Sequence, residues 1–195
     1  KLLNSHCLII GAGGLGSPAS IYLASSGIGK ITICDFDDVD ISNLQRQILH
    51  NDKSIGVNKA LSASKFLNSV NPEIIIAPID KKLNIDEMTS LAKDVDVIID
   101  CSDNFETRYA LNKIVFNLKK PIVSGAAIKF DGQVSVFDFR KISSPCYECL
   151  FPDSKSESEL RCSDHGGFSP IVGIIGATQA AEAIKVILNF GNSLM

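Results

Sequence analysis

At 195 residues, 45% of them hydrophobic, the chain is long enough to bury a full core within a single domain. Its net charge of −3 and pI near 5.6 argue against nucleic acid as an obligate partner. The most apolar segment, 170–190, carries Gln179, Glu182 and Lys185, so a buried helix is expected there rather than a membrane span. Lys1-Leu2-Leu3-Asn4 runs almost directly into the first apolar run, so no signal peptide is expected either.

Strand and helix signals alternate along the first 125 residues. Apolar runs at 7–10, 31–34, 74–77, 95–100 and 122–124 read as buried parallel strands, with helical stretches at 16–26, 57–70, 86–93 and 104–119 between them. This rhythm predicts an α/β fold: a Rossmann-like, doubly wound, mostly parallel sheet with its ligands at the carboxyl ends of the strands. The rhythm then changes. Runs at 126–130 and 133–139 flank Asp131-Gly132, a two-residue hairpin signal that predicts added antiparallel strands. Residues 141–168 show little periodicity, and a last helix is expected over 169–190, with Gly173, Gly176, Ala177, Ala180 and Ala181 permitting close approach of another element. No repeat or interdomain linker is visible, so residues 1–195 read as a single domain whose nucleotide-binding half ends near residue 125.

The run Gly11-Ala12-Gly13-Gly14-Leu15-Gly16 follows the first strand and opens the first helix. Such a turn aims backbone N–H groups and a helix N-terminus at a phosphate. Asp35, at the end of the second strand, is placed to accept hydrogen bonds from ribose hydroxyls, which NAD and ATP both carry. The loop and the acid alone thus serve an oxidoreductase and an ATP-using enzyme equally. Asn43, Arg46 and Lys59 shift the balance, because a triphosphate and its leaving pyrophosphate need cations that a dinucleotide does not. A solvated surface turn is the plain alternative for Arg46. In Ser102-Asp103-Asn104, after the fourth strand, Asn104 is read as the helix cap and Asp103 as a carboxylate free to hold Mg2+.

Taken together, these stretches resemble the ThiF/MoeB/HesA family, bacterial relatives of ubiquitin-activating enzymes. The resemblance rests on IIGAGGLGSPAS, ICDFDDVDISNLQRQILH, Gly56-Val57-Asn58-Lys59, DCSDNFETR, VSGAAIKFDGQVSVF, CYECL and CSDHGGFSPIVGIIGATQAAEAIK, in order along nearly the whole chain. It implies an adenylyltransferase that uses ATP and Mg2+ to activate the C-terminal glycine of a ubiquitin-like sulfur-carrier protein, in molybdopterin or thiamine biosynthesis, with release of pyrophosphate. By position it makes Gly11, Gly13, Gly14 and Gly16 the phosphate loop and Asp35 the ribose ligand. It sets Asn43, Arg46 and Lys59 on the phosphates and Asp103 on the magnesium, and gives residues 126–195 to carrier binding. It also implies a homodimer. An NAD-dependent oxidoreductase, or a tRNA-modifying dehydratase of the same superfamily, is the alternative.

Six cysteines in such a chain suggest reduced thiols and a cytoplasmic location, with Cys7, Cys34 and Cys101 as small core residues. Cys146 and Cys149 have the spacing of half a zinc site, and tetrahedral Zn2+ needs four ligands. The resemblance implies a second such pair and an arginine-bearing segment before the first strand. Neither is in this sequence, which reads as a piece of a longer chain, with a member that has lost its zinc as the alternative. Cys162 aligns with a family position used in covalent sulfur chemistry, which makes it a candidate nucleophile; a free loop cysteine accounts for it as well.

Overall fold

Alternate residues of each central strand face opposite sides of the sheet, and both sides are apolar. The computed structural model describes residues 1–152 and 168–194. Strands β1 (His6–Ile10), β2 (Lys30–Cys34), β3 (Ile75–Ile79), β4 (Val97–Asp100) and β5 (Pro121–Ile128) run parallel. With antiparallel β6 (Asp131–Asp138) they form one sheet of order β3-β2-β1-β4-β5-β6. Pro78 is tolerated in β3 because that strand lies at the sheet edge.

Helices α1 (Gly16–Ser25), α2 (Lys59–Val70) and α6 (Ser169–Leu188) cover the face that carries Cys7 and Ile9. The face carrying Leu8 and Ile10 packs on α3 (Ile85–Lys93), α4 (Phe105–Leu118) and the short α5 (Tyr147–Leu150). Asparagines start three of these helices. Asn58 accepts from the Ala60 amide at 2.8 Å, Asn84 forms a reciprocal capping box with Glu87, and Asn104 accepts from the Thr107 amide at 2.8 Å. The doubly wound architecture expected from the sequence is therefore present.

The hairpin differs from the sequence expectation. The runs expected at 122–124 and 126–130 are one continuous strand, β5, paired with β6 from Pro121↔Asp138 to Ile128↔Asp131. Its turn is Lys129-Phe130, with Lys129 at φ +52°, and Asp131-Gly132 lies inside β6. The glycine serves packing rather than turning: a Cβ at Gly132 would stand 2.5 Å from Ile175 Cγ1 of α6. The parallel sheet thus gains one antiparallel strand, and β5 carries the chain across residue 125 without a break.

Helix α6 is long and apolar enough to cross a membrane by length and composition, and half of its apolar window is buried inside this fold. It packs on α1, β5 and β6, and its buried Gly176, Ala180 and Ala183 are taken up by these contacts within the chain. Gln179 lies at the centre of that packing and is fully buried. Its Nε2 donates to the carbonyls of Asp100 (2.8 Å) and Val123 (3.2 Å), and its Oε1 accepts from the Cys101 thiol at 3.6 Å. Gln179→Leu keeps the volume and removes both donors. It is expected to lower unfolding free energy by about 2–3 kcal/mol. Urea denaturation checks this, and an unchanged midpoint refutes it.

Candidate active site

In register, Cys34, Ile10, Asp100 and Ser124 stand side by side across β2, β1, β4 and β5. The segments leaving these residues enter one cleft of about 910 Å3, at the carboxyl edge of the sheet. Gly11, Gly13, Gly14, Asp35, Asn43, Arg46, Lys59 and Asp103 all line it.

The glycine loop is closed on itself. Gly11 has φ +101°, and a Cβ there would meet the Cys101 carbonyl oxygen at 2.6 Å. A Cβ on Gly16 would stand 2.0 Å from the Gly11 carbonyl oxygen, so Gly16 lets α1 start directly behind the loop. Gly16 is buried there and does not line the cleft. Between the two glycines, the Ala12 amide donates to Asp35 Oδ2 at 2.8 Å, and the Ala12 carbonyl accepts from His50 Nε2 at 2.9 Å. Asp35 Oδ1 accepts from the Asp37 amide at 2.9 Å. Burial raises the Asp35 pKa, and these two amide bonds oppose the rise.

The cationic wall comes from the next segment. Asp40 caps a 3-10 turn over Ile41–Asn43 by accepting from the Ser42 amide at 2.8 Å. Arg46 follows on the next turn, its amide donating to the Asn43 carbonyl at 3.1 Å and its Nη1 to the Ser42 carbonyl at 3.2 Å. Lys59 opens α2, is buried, and pairs with Asp37 Oδ2 at 2.9 Å. The expected division of labour at the fourth strand is met for Asn104, which caps α4. Asp103 is exposed at the cleft, where its carboxylate receives a 3.4 Å contact from Asn104 Nδ2.

Further residues in and around the cleft were assigned no individual role from the sequence. Gln47 is buried on the cleft wall, and its Oε1 has no hydrogen-bond partner among the described residues. A polar atom so placed suits a ligand donor. Phe36, Leu83 and Met88 give one end an apolar lining, beside Lys81 and Lys82 from the carboxyl end of β3. Phe36 follows the end of β2, Lys81, Lys82 and Leu83 follow that of β3, and Met88 lies within α3. Beneath Asp103 lies a buried polar cluster. Asp100 accepts from Ser102 Oγ (2.6 Å) and Ser124 Oγ (2.8 Å), while Arg108 donates to the Ser102 carbonyl and lies 3.6 Å from Asp100 Oδ2. Arg108 sits within the DCSDNFETR stretch, but nothing in its spacing marked it as buried. The opposite wall of the cleft is Ala126, Ala127 and Ile128 of β5 with Asp131 and Gln133 of β6.

Cys146 and Cys149 flank the start of α5, with their sulfurs 2.7 Å apart. Burial raises the Cys146 pKa, and the hydrogen bond from Cys146 lowers that of Cys149. Among the described residues no group of three or more histidine, cysteine or acidic side chains converges on a metal position, so the pair finds no third ligand there. Cys162, with Asp164 and His165, lies outside the described residues.

Two glycines of the loop, Gly16 and Gly13, separate folding from binding. Gly16→Ala drives a Cβ into backbone and is expected to destabilise by about 3 kcal/mol or more. Gly13→Ala meets nothing nearer than Gln47 Nε2 at 3.5 Å. It should cost less than about 1 kcal/mol. Chemical denaturation of both variants checks the contrast, and equal losses refute it.

Three comparisons bear on this site. The family model described as ThiF family matches residues 1–194. Molybdopterin-synthase adenylyltransferase of Salmonella typhimurium is 44% identical over 190 residues, which are 97% of this chain and 76% of that protein. Adenylyltransferase and sulfurtransferase UBA4 of Candida albicans is 44% identical over 191 residues, and there the chain spans 43% of the protein's length. Among solved structures, Escherichia coli MccB with ATP superposes with a TM-score of 0.84 at 26% identity, over 99% of this chain and 59% of that one. A doubly wound sheet, a glycine loop after its first strand and a family match along almost every residue converge: this chain belongs to the ThiF family.

Proposed function

We propose that this chain is the adenylation domain of an enzyme that uses ATP to activate the C-terminal carboxylate of a ubiquitin-like sulfur carrier, releasing pyrophosphate. The observation that carries the reading is the meeting, in one cleft, of the glycine loop, Arg46, Lys59 and Asp103, with the β5–β6 wall across from them. The relatives' names support adenylation, and the molybdopterin-synthase relatives favour a molybdopterin-type carrier over a thiamine-type one. None of the named relatives is an NAD-dependent oxidoreductase.

In this reading each residue has a task. The amides of the glycine loop and the N-terminus of α1 receive the phosphates. Asp35, already held by two amides, has lone pairs left for the ribose hydroxyls. The carrier's carboxylate is itself a nucleophile, so no general base is required. Catalysis consists of holding two anions in line and neutralising charge on the α-phosphoryl group and the departing pyrophosphate. Arg46 and Lys59 supply that charge, with Asp37 fixing the Lys59 ammonium. The strand wall of Ala126 and Ala127 leaves room for an extended tail of small residues.

Asp103 suits Mg2+, because its exposed carboxylate is nearly unengaged and Mg2+ takes its other ligands from phosphate and water. When bound, the ion would shield charge between the phosphates. Two thiols do not suit a closed Zn2+ site, and no step here depends on zinc. The homodimer and the cytoplasmic location expected from the sequence remain part of this proposal, and sedimentation of the purified chain tests the first.

Pyrophosphate–ATP exchange tests the reading. Exchange should depend on the carrier, and Asp103→Ala should lower it at least about 100-fold while ATP binding weakens far less. Near wild-type exchange by Asp103→Ala refutes the mechanism, and binding of NADH without exchange refutes the activity.

A further inference from the structure

The glycine loop is held from two sides, and only one of these holds, Asp35, belongs to a residue with a ligand-binding role. The other is His50. The residue is 6% exposed. Nε2 lies 2.9 Å from the Ala12 carbonyl oxygen, and Nδ1 lies 2.9 Å from Ser62 Oγ. A carbonyl only accepts, so Nε2 carries the proton, and Nδ1 therefore accepts from the Ser62 hydroxyl. Burial and, less, the nearby Lys59 ammonium lower the His50 pKa against the opposing Ala12 hydrogen bond, which favours the neutral ring.

Three segments meet at this ring. Ala12 belongs to the glycine loop. The His50 amide donates to the Gln47 carbonyl, so the ring is fixed to the turn that carries Arg46. Ser62 lies in the first turn of α2, which Lys59 opens. We propose that His50 is a positioning residue that holds the glycine loop, the Arg46 turn and the Lys59 helix in one register for nucleotide binding. His50 does not line the cleft, so it acts through Ala12 and Ser62 rather than on the nucleotide. With Asp35 on the Ala12 amide and His50 on its carbonyl, the loop is pinned on both sides of this residue. These two bonds restrain the Ala12 backbone, next to Gly13 and Gly14, which line the cleft.

The inference rests on the ATP-binding reading above. Its test compares His50→Gln, whose side-chain amide places a donor near Nε2, with His50→Leu, which has none. Ser62→Ala removes the donor to Nδ1 and suits a helix. ATP affinity is measured by calorimetry, ATP KM and kcat by carrier-dependent pyrophosphate exchange, and unfolding is followed without ATP. His50→Leu is expected to raise the ATP dissociation constant and KM about tenfold with a smaller change in kcat. His50→Gln should recover to within about threefold of wild type, and Ser62→Ala should fall between them. Wild-type ATP affinity in both Leu and Ala variants overturns the inference, as does an equal loss in Gln and Leu. Should His50→Leu fail to fold, the Ser62→Ala result decides alone: a raised KM supports the inference, and an unchanged one overturns it. Wild-type protein that binds no ATP refutes the nucleotide reading itself, whereas ATP binding indifferent to these variants refutes only the role of His50.

Discussion

The row Cys34–Ile10–Asp100–Ser124 is the constraint on which the rest of the site depends. Parallel pairing sets these four residues level. Every segment that leaves the row therefore starts from the same edge and must cross the same space. The glycine loop follows Ile10, the acidic run follows Cys34, the Ser102–Asp103 turn follows Asp100, and the β5–β6 wall continues from Ser124. A shift of one residue in any pairing would turn that segment's side chains to the other face. The apolar residues on both faces of β1, β2 and β4 oppose such a shift, because it would exchange the contents of two filled cores. The packing of the core is thus what aligns the charges of the cleft.

Held on this edge, the polar groups divide into those that face the cleft and those that brace it. Asp100 and Arg108 are a buried ion pair, and such pairs are weak sources of stability because both charges lose water. Here the lost water is replaced by Ser102, Ser124 and a backbone carbonyl, so the pair fixes the Ser102–Asp103 turn in one geometry. Asp103 can then be exposed without being free to wander. Its backbone is anchored while its carboxylate stays open to a ligand. The same division holds at Ala12, where Asp35 and His50 grip the backbone from opposite sides.

The sheet, its winding and the place of the cleft were legible because they are written in local signals: apolar periodicity, a glycine loop after a strand, acids and amides at strand ends. Asn104 was readable as a cap from chemistry alone. The hairpin was misplaced because Asp-Gly is a strong turn signal, and only the position of Ile175, more than forty residues away in sequence, shows that Gly132 is needed for packing. Gln47, His50, Arg108 and Gln179 lie in stretches that carry the family resemblance, Gln179 in the apolar helix, yet none of their structural roles was readable, for a related reason. Each is a polar residue buried by the fold, and for two of them the role is set by a distant backbone group: Ala12 for His50, and Asp100 and Val123 for Gln179; Arg108 reaches back six residues to Ser102. Local pattern does not encode such partners.

That limit bears on the choice between a dinucleotide and a triphosphate. The glycine loop and Asp35 serve either ligand, and their geometry here favours neither. What differs is the charge brought to the far side of the loop. Lys59 is buried yet paired with a half-exposed Asp37, so its ammonium is held near the cleft without being neutralised by a buried partner. Arg46 donates to the Ser42 carbonyl through Nη1, which leaves most of its guanidinium donors available. Two cations thus stand beside the glycine loop, Lys59 paired with one half-exposed carboxylate and Arg46 bonded to one backbone carbonyl. They make sense where a ligand of high negative charge completes them. A nicotinamide dinucleotide carries two phosphate charges, for which loop amides suffice, whereas ATP brings three phosphates, whose charge calls for cations such as these.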